Sequence, residues 1–132
     1  MPPDPGSPAD WLRFAQSDLK LAQTPLQNEI LVENLCFHTQ QAVEKCLKAI
    51  LIAENIPFPR THNLKILLDL LPKGVSLPVA PSTVAELTDF AVSARYPGHY
   101  EPVTDEEYTN AVEIARTLVS WTEAYLKDCG LL

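Results

Sequence analysis

The 132-residue sequence predicts an all-α protein, an antiparallel up-and-down bundle of four to five helices. Three observations carry this. The stretch Leu35 to Ala53, LCFHTQQAVEKCLKAILIA, contains no Gly or Pro and most of its residues favour helix. Apolar residues recur at helical spacing in the segments on either side of it. The linker Val75 to Pro81 has two prolines and no strand-like alternation long enough to pair with anything.

Residues 1–8 form a Pro-rich, flexible or extended lead-in, and a single domain follows over 9–132. Ser7, Pro8 and Asp10 signal a helix start through an N-cap hydroxyl, a proline at the first position and an acid in the first turn. Trp11, Ala15, Leu19 and Ala22 follow at helical spacing, with Phe14 and Asp18 beside them, and Pro25 ends this first helix near Gln23. Gln27 to Ile30 reads equally as loop or as the opening turn of the second helix.

On a helical wheel, Cys36, Phe37, Val43, Leu47, Ile50 and Leu51 of the second helix share a broad apolar arc. Ala42, Cys46, Ala49 and Ala53 make an adjoining strip of small side chains. Gln40 and Glu44 fall inside the large apolar arc. An ionised carboxylate taken from water without a partner is costly, so Glu44 needs a donor. That inward polar pair marks the helix as a place to look for function.

Asn55, Pro57 and Pro59 stop the second helix. Leu64, Leu67, Leu68 and Leu71 then read as a third, closed by Pro72 and Gly74. Thr83 and Glu86 form a capping-box pattern and predict a fourth helix carrying Val84, Leu87, Phe90 and Ala91 toward Arg95. Pro97 and Gly98 break it. Thr104 and Glu107 repeat the pattern and open the last helix, whose inner stripe is Tyr108, Ala111, Val112, Ala115, Leu118, Val119, Thr122 and Leu126, with Gly130 as terminator.

Seventeen acidic against ten basic residues give a net charge of −7, which argues against general affinity for a nucleic acid backbone. The charge is uneven: Lys45 to Lys73 is net basic, and Glu86 to Asp128 strongly acidic. Solvated faces of opposite sign explain this, and a docking surface for a partner is the sharper reading. Cys36 and Cys46 lie ~15 Å apart along one helix, too far for a bridge, and Cys129 leaves the cysteine count odd. A reduced, cytoplasmic protein follows, with no signal peptide, no membrane-spanning run and no metal-ligand spacing.

The densest polar constellation is Ala94 to Tyr100, ARYPGHY, which places Arg95, Tyr96, His99 and Tyr100 around a Pro97-Gly98 turn. Arg binds phosphate in bidentate fashion, and His exchanges protons near neutral pH. Metal-free RNA cleavage through the ribose 2′-hydroxyl needs little more. Spacing alone favours a structural role instead, with Arg95 capping carbonyls or pairing with Glu44 and the tyrosines packing, because so short a motif recurs by chance. His62 is expected to cap or pack at a helix start, His38 to be exposed, and Glu44 with Lys48 to form an ordinary surface ion pair.

Several of these pieces resemble the HEPN domain family: the opening W-x3-A-x2-DL-x2-A (Trp11, Ala15, Asp18, Leu19, Ala22), the central FHTQQAVEKCLKAIL, the Pro-x2-THNL turn from Pro59 to Leu64, ARYP (Ala94 to Pro97), and the acidic cap before a last helix with Trp121. The resemblance runs from about Trp11 to Trp121. It implies a four- or five-helix bundle, a homodimer, and a minimal nucleotidyltransferase as partner in a toxin–antitoxin-like two-component system. Active members are similar in being metal-independent endoribonucleases that use an Arg, four to six intervening residues and a His at the dimer cleft, without a cofactor.

Here only three residues separate Arg95 from His99. Active members also carry a Tyr two positions beyond the His, where this chain has Glu101, Tyr100 being adjacent to His99. A one-residue contraction displaces a side chain by about 3 Å, enough to spoil a positioned site. The reading favoured is therefore a non-catalytic dimeric module that docks a nucleotidyltransferase. Arg95, Tyr96, His99 and Tyr100, with Glu44 and Gln40 behind them, then serve nucleotide or RNA phosphate. A ribonuclease toxin with Arg95 and His99 catalytic is the alternative.

Overall fold

The structure, a computed structural model, describes residues 6–25, 27, 29–89 and 102–132. Among these residues there are five helices and no strand: α1 (Pro8–Ala22), α2 (Val32–Ala53), α3 (Leu64–Leu70), α4 (Pro81–Ala85) and α5 (Asp105–Asp128). They form the expected up-and-down bundle. The three long helices α1, α2 and α5 pack on one another, and the short α3 and α4 pack together, with α3 also against α2.

The helix ends follow the local sequence closely. Ser7 accepts a hydrogen bond from the Asp10 N–H while the Asp10 carboxylate accepts one from the Ser7 N–H, closing a capping box around Pro8. Thr104 and Glu107 do the same for α5. α2 stops in a Schellman turn: Asn55 takes φ 59°, its N–H reaches the Ile52 carbonyl, and the Ile56 N–H reaches Leu51. Gly130, at φ 74°, ends α5 the same way through Leu131 N–H to Leu126.

One start differs from the sequence expectation. α4 begins at Pro81, two residues before Thr83, and its N-cap Ala80 offers no side-chain bond. The fixed φ of Pro81 sets the first turn, so Thr83 falls inside the helix rather than at its edge. Residues 88–89 are helical again, and the expected continuation through Phe90 and Ala91 to Arg95 lies outside the described residues. Residues 29–30 join neither α1 nor α2, which opens at Val32.

α2 is the centre of the bundle. Cys36, Val43, Leu47, Ile50 and Leu51 of its large arc are fully buried, and so are Ala42, Cys46 and Ala49 of its small-residue strip. Apolar surface leaves water on both sides of one helix, and the small strip lets neighbouring backbones approach. The inner stripe of α5 is seated as its spacing predicts, with Ala111, Ala115, Leu118, Val119, Thr122 and Leu126 buried. Tyr108 adds a long-range tie, donating its hydroxyl hydrogen to the Ala22 carbonyl left open at the end of α1. On α1 the buried positions are Leu12, Ala15, Asp18 and Ala22. No described helix is long and apolar enough to cross a membrane.

Burial pushes the Cys36 and Cys46 thiols up to about 12, the Glu33 and Glu107 carboxylates reinforcing the effect at Cys36. The folded state keeps both protons where an unfolded thiol, with its ordinary value of 9.0, releases them. Their contribution to stability is thus complete below pH 9 and lost as pH rises toward 12. Urea unfolding should show a falling midpoint across that range, with a smaller drop in the Cys36→Ala/Cys46→Ala double variant; an equal drop would contradict the assignment. Thr104→Ala should cost about 1 kcal/mol in the same assay at neutral pH, from the lost cap.

Candidate functional site

Gln40 and Glu44 lie one helical turn apart on the buried side of α2, and the structure closes a polar cluster around them. Glu44 is 2% exposed and accepts from four side chains. Its Oε1 receives His62 Nδ1 at 2.9 Å, Gln40 Nε2 at 3.2 Å and, more weakly, Gln41 Nε2 at 3.4 Å. Its Oε2 receives Lys48 Nζ at 3.0 Å. Gln40 Nε2 also donates to the His62 carbonyl at 3.1 Å, and Gln40 Oε1 accepts from Gln41 at 2.8 Å. An inward carboxylate is tolerable on these terms, because nearly all of its acceptor capacity is used.

Lys48 corrects the expectation of a surface ion pair. Its side chain is only 9% exposed, and the ammonium stands 5.5 Å from the Trp11 ring and 5.7 Å from the Phe58 ring. The two rings meet edge to face at 6.5 Å. A cation between two π faces and a carboxylate is held far more firmly than an exposed i,i+4 pair. Trp11 comes from the first turn of α1 and Phe58 from the Pro57–Pro59 segment after α2, so three parts of the chain converge on one charge.

His62 is likewise more than a helix-start residue. Asn63 caps α3 by accepting from the Lys65 N–H, Thr61 accepts from the Asn63 N–H, and Thr88 accepts from the Leu64 N–H. This braced turn sets His62 beside Glu44. The carboxylate takes the Nδ1 hydrogen, which fixes the tautomer and leaves Nε2 on a ring that is 54% exposed. A buried carboxylate orienting a solvent-facing imidazole can accept or donate a proton, or hold a ligand, at that Nε2.

A second carboxylate–histidine pair sits on the α1–α2 face. Asp18 is 7% exposed and receives His38 Nδ1 at 3.0 Å together with the Lys45 ammonium. His38, expected to be simply exposed, is partly covered by this pairing. The signal for Asp18 was its place between Ala15 and Ala22 on the inner stripe of α1; the signal for Lys45 was absent, since one wheel cannot show which neighbour receives it. Among the described residues no three His, Cys, Asp or Glu side chains converge as a metal site.

The candidate residues Arg95, Tyr96, His99 and Tyr100 lie outside the described residues. Gln40 and Glu44 are brought together, with Lys48 and His62 as further partners of the carboxylate; the expected approach to Arg95 falls outside the described residues. Removing one partner of such a pair strands the other charge. Glu44→Leu should therefore lose about 3–5 kcal/mol, and the double variant Glu44→Leu/Lys48→Met should recover more than half, read by urea titration. Equal losses in both would show that Lys48 does not depend on Glu44.

The HEPN domain family model matches residues 8–125. Among solved structures the chain resembles TT1696 from Thermus thermophilus, with 27% identity, a TM-score of 0.75, and coverage of 89% of this chain and 96% of that one. It shares its fold with ST0689, an archaeal HEPN homologue, at 24% identity and a TM-score of 0.69 over 92% of this chain and 98% of that one. Among curated proteins, none matches. With the family model spanning all five described helices down to Tyr125 in α5, this chain belongs to the HEPN domain family.

Proposed function

We propose that this chain is a non-catalytic, dimeric HEPN module that docks a minimal nucleotidyltransferase in a cytoplasmic, toxin–antitoxin-like two-component system. In this reading Arg95, Tyr96, His99 and Tyr100, with Gln40 and Glu44 of α2, engage nucleotide or RNA phosphate. The observation that carries the proposal is the three-residue interval between Arg95 and His99 within a chain of this family. A cleaving site needs its guanidinium and imidazole within reach of one phosphodiester, and a shortened interval moves one of them by about 3 Å. Phosphate binding by a guanidinium is less demanding of the second group.

The test incubates purified protein with RNA in EDTA, beside Arg95→Ala and His99→Ala variants, and separately isolates the tagged chain from cells that express it with its genomic neighbours. RNA should stay intact, and a nucleotidyltransferase should co-purify with wild type and with His99→Ala. Cleavage by wild type that is lost in both variants would overturn the proposal and make the chain a metal-independent endoribonuclease. Recovery of no nucleotidyltransferase would remove the docking role.

A further inference from the structure

α4 is too short to cover the helix it faces. It ends at Ala85 after 5 residues, whereas α5 runs for 24. Two cavities of about 330 and 450 Å³ open between them, and both are lined by Glu86, Asn110 and Ile114, so they form one continuous groove. Its α5 wall runs from Glu107 through Asn110 and Ile114 to Thr117, positions on one helix face. Ten residues of helix make that wall ~15 Å long. The floor is apolar: Leu87 and Ala111 are buried, and Val79 and Ile114 are half-buried.

The rims are acidic and exposed, with Glu86 and Asp89 on the α4 side and Glu107 and Glu113 on α5. Among the described residues no Lys or Arg lines either cavity. Arg116 meets Glu113 at 3.1 Å, but that pair is largely solvated on both members. Glu107 accepts the Thr104 N–H, a bond that leaves its charge in place. The acidic stretch from Glu86 to Asp128 is thus gathered along both walls of an apolar trough.

We infer that this groove is a docking surface for a Lys- and Arg-bearing amphipathic helix of a partner protein, whose apolar side chains fill the floor and whose cations meet the rims. A trough of about three turns takes a helix through residues at i, i+3, i+4 and i+7. The rims choose the sign, because cations on the incoming helix relieve the repulsion between facing carboxylates, and an acidic partner or a nucleic acid adds to it. The floor excludes a simple cation, which would satisfy the rims and leave Leu87 and Ile114 against water. The chain's own basic stretch is a poor match, since Lys45, Lys48 and Lys65 are already held by Asp18, Glu44 and Asp69. The inference depends neither on the Arg95–Tyr100 turn nor on the partner's being a nucleotidyltransferase.

Fluorescence anisotropy on the full chain tests it with a labelled synthetic peptide of about four helical turns, Leu along one face and Lys on both flanks, beside a scrambled peptide of the same composition. Wild type should bind the patterned peptide at least about tenfold more tightly than the scrambled one. Glu86→Lys and Asn110→Lys, both at exposed positions, should each weaken binding at least about fivefold. Asp128→Lys makes the same charge change as Glu86→Lys at the far end of α5 and should leave affinity within about twofold. No binding by wild type, equal affinity for the scrambled peptide, or equal weakening in Asp128→Lys overturns the inference, the last two by showing that charge alone is read. Sedimentation of wild type and Glu86→Lys should show the same oligomeric state; a wild-type oligomer that Glu86→Lys dissociates would seat a second copy in the groove and overturn the partner-protein assignment.

Discussion

The bundle depends on one buried charge. Glu44 sits at the middle of the most enclosed helix, where an unpartnered carboxylate would cost more than a bundle of this size can spare. Four donors meet it: Gln40 and Gln41 from the turn before, Lys48 from the turn after, and His62 from the segment that leads into α3. The same constraint explains why Trp11 and Phe58 lie where they do, since they wall the Lys48 ammonium that the carboxylate holds. Apolar burial drives the helices together, but it is indifferent to register. Directed contacts are not: the His62 bond ties the α2–α3 segment to α2, and Trp11 of α1 meets the same cluster through the Lys48 ammonium.

That arrangement also shapes the surface. A carboxylate inside the bundle turns His62 into a fixed imidazole on the outside, and Asp18 does the same for His38. Two buried acids thereby organise two partly exposed histidines around α2. The first pair braces the turn after α2, and the second floors a cavity rimmed by Phe14 and Arg13. Membership in the HEPN family sets this chemistry on an all-helical bundle.

Much of this was legible in the sequence, and the limits are instructive. Local devices read cleanly: the caps at Ser7 and Thr104, the stop at Asn55 and the inner stripe of α5 are set by residues within a few positions of one another. The pattern at Thr83 and Glu86 misled because Pro81 starts α4 earlier, and proline geometry outranks a weak side-chain cap. The wheel placed Gln40 and Glu44 inward correctly, yet it could not name their partners. His62 is eighteen residues from Glu44 and arrives only through the folded turn. Lys48 looked like a surface cation because its Cα position says little about where a four-carbon stem carries the charge. Asp18 was visible only as a polar residue on an apolar stripe, and its donors come from α2, twenty and twenty-seven residues away.

The most direct measurement is nitrogen NMR of the neutral His62 ring in the intact protein. With Glu44 accepting from Nδ1, the ring should be locked as the Nδ1–H tautomer with Nε2 bare, and Glu44→Leu should release it. A ring that carries its proton on Nε2, or averages freely between the two nitrogens in the wild-type chain, would mean that the buried carboxylate does not govern the outer imidazole.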